Sequence, residues 1–306
     1  MDVSGTADWS FWSDRIARVT RSYCSQGLNK QVNRNFRRLI MDYYCQHGRH
    51  ELPWRRTADS YCILVSEIML QQTQVERVID KYRAFIKEFP DIRVLAQATL
   101  QRVLKVWQGL GYNRRALALK KTAQIVLQRY QGRIPATIDT LQTLPGIGKA
   151  TASAICVYAN NQSIPFIETN IRTVFLHVFF PEAASVPDHE IMPLVKTTSL
   201  YETPREWFQG LMDFGVFLKK HVTNPNRRSS LFKKQSAFKG SNREIRGTII
   251  RLLTKSDEIS IEKLIFEIKC TKKRLYRIID GLQRDGLIEK QGSSIRITKH
   301  SWNVPK

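Results

Sequence analysis

From about residue 30 to residue 225, apolar positions recur with helical spacing, and no alternating stretch of useful length interrupts them. The plainest stripe is Val75, Val78, Ile79, Tyr82, Phe85, Ile86 and Phe89, spaced i, i+3, i+4, i+7 and ended by Pro90. Thr99 stands as an N-cap before Leu100, Val103, Leu104 and Trp107. Another helix is predicted over about 114–130, stopping at Gly132. This part reads as all-α. Ahead of it, Trp9, Phe11 and Trp12 suit an N-terminal helix that docks on the rest, with no role that the pattern defines.

The pattern changes over residues 224–241, NPNRRSSLFKKQSAFKGS, which are polar, basic and rich in turn residues. They read as a linker that lies against a phosphate backbone. Three helical stripes follow: Ile245, Ile249, Leu252 and Leu253; Ile261, Leu264, Ile265 and Ile268; Leu275, Ile278, Ile279 and Leu282. After them come Leu287-Ile288, the turn Gln291-Gly292-Ser293, and Ile295 alternating with Ile297. Three helices and a small hairpin are the order of a winged helix. Its third helix carries Lys272, Lys273, Arg274 and Arg277, candidates for DNA contact. A solvated basic face on a protein-docking module is the alternative.

Charge sharpens the picture. The 306 residues hold 49 Lys and Arg against 27 Asp and Glu, a net +22, and residues 227–306 alone hold 20 against 8. Such a surplus favours a polyanionic partner, nucleic acid before an anionic membrane surface. The ordinary balance of 42% hydrophobic and 25% charged residues excludes a disordered tail or a fibrous repeat. No apolar run approaches the length of a membrane span, and the start, MDVSGTADWSFWSDR, lacks the pattern of a secretory signal. The expectation is a monomeric cytoplasmic protein, nucleoid-associated if prokaryotic, without a membrane partner. The five cysteines, Cys24, Cys45, Cys62, Cys156 and Cys270, form no CxxC and no close Cys/His cluster, so no metal site is expected.

Three segments carry candidate chemistry. Leu144-Pro145-Gly146-Ile147-Gly148-Lys149, flanked by helical patterns, reads as a helix-hairpin-helix. The unpaired amides and dipole at the start of its second helix suit a DNA phosphate, and glycines let the backbone approach. A plain turn between two helices is the alternative. In YCILVSEIMLQQTQV, Glu67 interrupts an apolar helix. Burial there would push its pKa upward, toward what a general acid needs, unless a salt bridge or a snorkelling conformation explains it. Glu168, within Pro165-Phe166-Ile167-Glu168-Thr169-Asn170-Ile171-Arg172, is a second candidate carboxylate; a helix N-cap is its plainer reading.

Taken together, these blocks make the chain resemble the helix-hairpin-helix glycosylase superfamily, and within it the adenine DNA glycosylases of the MutY type, over roughly residues 30–220. Leu52-Pro53-Trp54-Arg55, Ser66 through Val75, Gly109-Leu110-Gly111-Tyr112 and Gln209 through Gly215 look like that family's blocks. The resemblance implies an all-α helix-hairpin-helix glycosylase fold, two helical subdomains around a cleft, with a C-terminal winged-helix domain. The implied layout is an N-terminal extension over 1–29, a glycosylase domain over 30–223, a basic linker over 224–241 and a winged helix over 242–300.

The resemblance also implies roles. Glu67 would protonate the adenine, and Glu168 would stabilise the cationic sugar and help place water. Trp54, Arg55 and Gln209 would line the base pocket. Gln72 and Tyr112 would push into the duplex, with Gln71, Asn170, Leu144, Gly146, Gly148 and Lys149 as further DNA contacts. Three departures stand out. The family's catalytic Asp is Glu168 here. Ala150 occupies the position where the endonuclease III branch carries its imine-forming Lys, which implies hydrolysis without lyase activity. Where the four-Cys iron–sulfur loop should follow residue 215, the chain has Lys219, Lys220, His221 and NPNRRS. The winged helix occupies the place of the large C-terminal domain that reads 8-oxoguanine in many members.

The implied activity is removal of adenine opposite 8-oxoguanine or guanine from double-stranded DNA, with no metal or cofactor. A thymine or uracil mismatch glycosylase and a catalytically silent lesion-binding protein are the two competing readings.

Overall fold

Short polar side chains open many of the helices. Asp8, Asn29, Asp59, Asp91, Thr99, Thr137, Ser241, Ser260 and Thr271 each accept a hydrogen bond from a backbone amide of the turn that follows. The computed structural model describes residues 7–199, 202–232 and 237–299. Residues 1–6 of the expected extension, 233–236 of the expected linker and residue 300 lie outside the described residues.

In chain order the helices are α1 (Trp9–Gln26), α2 (Lys30–His47), α3 (Ser60–Leu70), α4 (Val75–Glu88), α5 (Ile92–Gln97), α6 (Leu100–Trp107), α7 (Arg114–Arg129), α8 (Ile138–Gln142) and α9 (Lys149–Asn160). Then follow α10 (Thr169–Phe179), α11 (Asp188–Thr198), α12 (Pro204–His221), α13 (Asn242–Leu253), β1 (Ile259–Ser260), α14 (Ile261–Glu267), α15 (Lys272–Arg284), β2 (Ile288–Gln291) and β3 (Ser294–Ile297). The chain divides into two units, residues 1–56 with 153–234 and residues 57–152 with 235–306.

The first unit is built on aromatic packing. Phe36 of α2 meets Phe175 and Phe179 of α10 and Trp207 of α12 edge to face, with centroids 4.8–5.8 Å apart. Trp12 of α1 is fully buried against Tyr43 and Phe214, and Trp9 stacks on His221 at 5.0 Å. Trp9 and Trp12 thus anchor α1 over the end of α12, whereas Phe11 is exposed. Glycines let α12 approach closely. A Cβ on Gly210 would lie 3.1 Å from Ile40, and one on Gly215 only 2.3 Å from the Asn170 carbonyl oxygen.

The first residues of the expected linker are ordered against α10. Residues Pro225–Arg228 form a 3-10 turn, and Arg228 donates to the carbonyls of Leu176, Phe180 and Pro181 near the end of α10. Those carbonyls lack helical partners, so the guanidinium caps a helix end rather than lying open for phosphate.

The second unit buries Phe85, Phe89, Leu95, Leu104, Trp107 and Val126 among α4 to α7. It also holds the C-terminal module, in the order α13, β1, α14, α15, β2, β3. Its antiparallel sheet runs β1-β3-β2, with Ile288 opposite Ile297 and Ile259 opposite Ile295. This is the winged-helix order. The two-residue strand β1 carries no pattern that sequence could show. Among the described residues, no helix is long and apolar enough to cross a membrane.

Candidate functional site

In the second unit, Glu67 lies half-buried on α3, flanked by the buried Ser66 and Ile68. Helix α3 ends at Leu70, and the turn after it puts Gln72 at φ 54° with its side chain exposed. The loop from α6 to α7 places Tyr112 at φ 47°, directly after Gly109 and Gly111 at φ 94° and 69°. A non-glycine residue held there costs about 1–3 kcal/mol and persists only when its surroundings impose it.

Arg115 imposes it. Its guanidinium donates to the carbonyls of Ile68, Met69 and Gln71 at 2.5–3.0 Å, to Thr73 Oγ1 at 2.9 Å, and to Leu110 and Gly111 at 3.0 and 3.2 Å. It also packs 5.4 Å from the Tyr112 ring and 5.5 Å from that of Trp107. One side chain therefore ties the end of α3 to the Tyr112 loop. Burial lowers its pKa to about 10, which leaves it charged at neutral pH. Sequence reading missed Arg115, because nothing in a chain with 49 basic residues singles it out.

The hairpin lies between α8 and α9. Gly146 has φ 79°, and a Cβ there would lie 2.8 Å from Ala118. Gly146, Gly148, Lys149 and Ala150 are all exposed. Two expectations need correction. Leu144 is buried, 2% exposed, so its side chain anchors the turn instead of touching DNA. The Gln71 amide donates to the Gly146 carbonyl at 3.2 Å and to Thr151 Oγ1 at 3.3 Å, so it braces the hairpin.

On the winged helix, Lys272, Lys273 and Arg277 are exposed. Arg274 instead donates to Asn242 Oδ1 at 2.9 Å and to the Gly240 carbonyl at 2.6 Å, joining the starts of α13 and α15.

In the first unit, Glu168 is the N-cap of α10. Its Oε1 accepts from the amides of Asn170 at 2.6 Å and Ile171 at 2.8 Å, and its Oε2 from Asn170 Nδ2 at 3.3 Å. The plainer reading of Glu168 thus holds, since it caps the helix, and the side chain is half-buried. Burial raises its pKa above the ordinary value, against the Ile171 and Asn170 amides and the charges of Lys219 and Arg172. Lys219, one turn beyond Gly215, donates its ammonium to Asn170 Oδ1. Burial lowers the Lys219 pKa, and Glu168 pulls it back up.

Arg55 lies on the 3-10 turn Pro53–Arg55 and forks onto Asp213, Nη1 to Oδ2 at 2.6 Å and Nη2 to Oδ1 at 2.9 Å. Arg49 adds a second ion pair to Asp213 at 2.5 Å. Burial raises the Asp213 carboxyl, but these two guanidiniums outweigh it and hold the group below its ordinary range. Gln209 is buried and accepts from the Tyr44 hydroxyl at 2.7 Å, which leaves its amide nitrogen as a donor. Trp54 is buried as well.

The residues after 215 do not fit an iron–sulfur cluster. Lys219 stands there engaged with Asn170, and among the described residues no three or more His, Cys, Asp or Glu converge into a metal-binding group.

The model of the HhH-GPD superfamily base excision DNA repair proteins matches residues 65–197. The adenine DNA glycosylase of Mycolicibacterium smegmatis is 31% identical over 269 residues, covering 82% of this chain and 92% of that one. The adenine DNA glycosylase of Buchnera aphidicola from Schizaphis graminum is 32% identical over 211 residues, 68% of this chain and 60% of that protein. The chain thus spans about three-fifths of that Buchnera relative, and little more than half of two others. The solved structure of a thermostable thymine-DNA glycosylase superposes with a TM-score of 0.55 at 24% identity, over 63% of this chain and 90% of that one, which supports the fold. The chain belongs to the HhH-GPD superfamily of base excision DNA repair proteins, in its MutY-type branch.

Proposed function

We propose that the protein is a monofunctional DNA N-glycosylase that removes adenine opposite 8-oxoguanine or guanine in duplex DNA. One observation carries this reading. Glu168 is a half-buried carboxylate fixed by two backbone amides and flanked by Asn170 and Lys219, in the segment where the family keeps its catalytic acid.

The chemistry follows from the target. A base stacked in a duplex must be extruded before its glycosidic bond can be reached. Gln72 and Tyr112, both on left-handed backbone at loop tips, are suited to fill the gap. Glu67 donates a proton to adenine N7, and the base leaves neutral as the C1′–N9 bond breaks. The sugar develops oxocarbenium character, which ionised Glu168 stabilises until water adds at C1′ and passes its proton to the Glu168 carboxylate. Gln209, oriented by Tyr44, offers an amide donor to the base edge, and Arg55 is held rigid by Asp213. The products are free adenine and an abasic site. Ala150 has no amine, so no imine forms there and the strand stays intact.

Single-turnover incubation with duplexes carrying one labelled base tests the reading. Adenine should be released from A·8-oxoguanine and A·G, and the pyrimidine spared in T·G and U·G. Release of thymine or uracil with adenine spared would overturn the assignment.

A further inference from the structure

Tyr112, proposed above as a wedge, is held from two directions. Arg115 braces the loop from within. From the other side comes Arg243, the second residue of α13 in the winged helix. Its Nη1 donates to the Tyr112 hydroxyl at 2.8 Å, and its guanidinium lies 5.6 Å from the ring centroid. A basic residue in the first turn of a helix opposes the dipole. Helix stability therefore does not explain Arg243, whereas a phenol that must be kept in place does.

The module is fixed to support that grip. At the far end of α13, Gln101 donates to the Leu253 carbonyl at 3.2 Å and Gln108 to Thr254 Oγ1 at 2.5 Å. Asp285, just past α15, pairs with Arg246 and lies 3.5 Å from Arg114 in the first turn of α7. Gln108 and Arg114 bracket the loop that carries Tyr112, so the winged helix clamps it at both ends as well as at its tip. Arg274 ties the start of α15 to the start of α13, which sets the exposed Lys272 and Lys273 next to the same grip.

We infer that the winged-helix module is a positioning part of the base-extrusion apparatus: through Arg243 it fixes the Tyr112 wedge, and the ligand it serves is a duplex with one nucleotide turned out. The inference rests on the glycosylase reading of Tyr112. Arg243 is a positioning residue, acting through the tyrosine. The winged helix then governs how readily a base is extruded, beyond adding affinity for any duplex.

The test uses the full chain and a duplex with non-cleavable 2′-fluoro-2′-deoxyadenosine opposite 8-oxoguanine and 2-aminopurine as its neighbour, whose emission rises when the stack opens. Single-turnover release from the cleavable duplex and affinity for an undamaged duplex are measured in parallel. Arg243→Met should reduce the emission rise and the release rate about tenfold, the scale of one charged hydrogen bond with a cation–π contact, and leave undamaged-duplex affinity within about twofold. Arg243→Lys should restore only part of the loss, because an ammonium lacks the fork. In the Arg243→Met, Tyr112→Phe double variant the two losses should be less than additive.

Unchanged extrusion, additive losses, or an equal fall in affinity for undamaged DNA would overturn the inference. If Arg243→Met fails to fold by thermal denaturation, Arg243→Lys and Tyr112→Phe carry the same comparison. Wild type that opens the stack yet releases no base would refute the glycosylase reading, while the emission series still decides the role of Arg243.

Discussion

Replacing Glu168 by Asp probes the site with the smallest change available. The Glu168 carboxylate sits 2.6 and 2.8 Å from the amides of Asn170 and Ile171. An Asp on the same backbone withdraws the carboxylate by one methylene, about 1.5 Å. Misplacement on that scale costs about a hundredfold in rate, or about 2.7 kcal/mol of activation free energy. Stability should hardly change, because Asp is itself a favoured N-cap and α10 keeps its first-turn acceptor. The loss is therefore kinetic.

Glu168→Gln separates charge from capping. Its amide oxygen accepts both backbone bonds, but the cationic sugar loses its counter-charge, a loss of about a thousandfold. Its stability effect has the opposite sign. Burial raises the folded-state pKa of Glu168 above the unfolded value. As pH rises through the ordinary glutamate range the unfolded chain releases its proton first, so folding loses stability. Glu168→Gln should thus melt higher than wild type at pH 7, and the gain should vanish in acid below that range. Single-turnover excision with melting curves at both pH values is the assay. A faster Glu168→Asp, or a Glu168→Gln as active as wild type, would refute the reasoning.

Three other perturbations follow. Lys219→Met removes a charge that favours ionised Glu168, so the acid limb of the excision profile, where activity falls as Glu168 gains its proton, should move to higher pH; a profile left in place would deny the coupling. Arg115→Lys keeps the charge but lacks the fork that bridges the end of α3 and the Tyr112 loop; it should slow single-turnover excision more than it weakens duplex binding, and equal losses would contradict this. Lys272→Ala and Lys273→Ala should each reduce the slope of log affinity against log salt by about one. An unchanged slope would mean that this end of α15 meets no phosphate.

Much of this architecture is legible in the sequence because helix burial repeats every three to four residues. The stripe from Val75 to Phe89 and the cap at Thr99 become α4 and the start of α6. The winged helix is legible for the same reason, apart from β1, whose two residues show themselves only by pairing with β3. The Glu67 and Glu168 segments are found from sequence because a carboxylate among apolar neighbours is rare.

Long-range polar pairing is what the sequence hides. Lys219 reaches Asn170 across 49 residues, and Arg243 reaches Tyr112 across 131. Arg115 sits among many other cations, and only its geometry distinguishes it. Leu144 misled for a related reason: a leucine that marks a turn in sequence is also the apolar anchor that buries it. Within the linker, basic composition does not say whether an arginine meets phosphate or, as Arg228 does, a helix end.

The most direct test of the two-carboxylate account is the product set from an A·8-oxoguanine duplex in single turnover, for wild type, Glu67→Gln and Glu168→Gln. The account predicts that wild type yields free adenine and an abasic strand that breaks only on later treatment with alkali. Borohydride should trap no covalent adduct, and both variants should bind the duplex while releasing adenine at least about a hundredfold more slowly. Wild type that binds but releases no adenine, a trapped adduct with a broken strand, or variants as fast as wild type would contradict it.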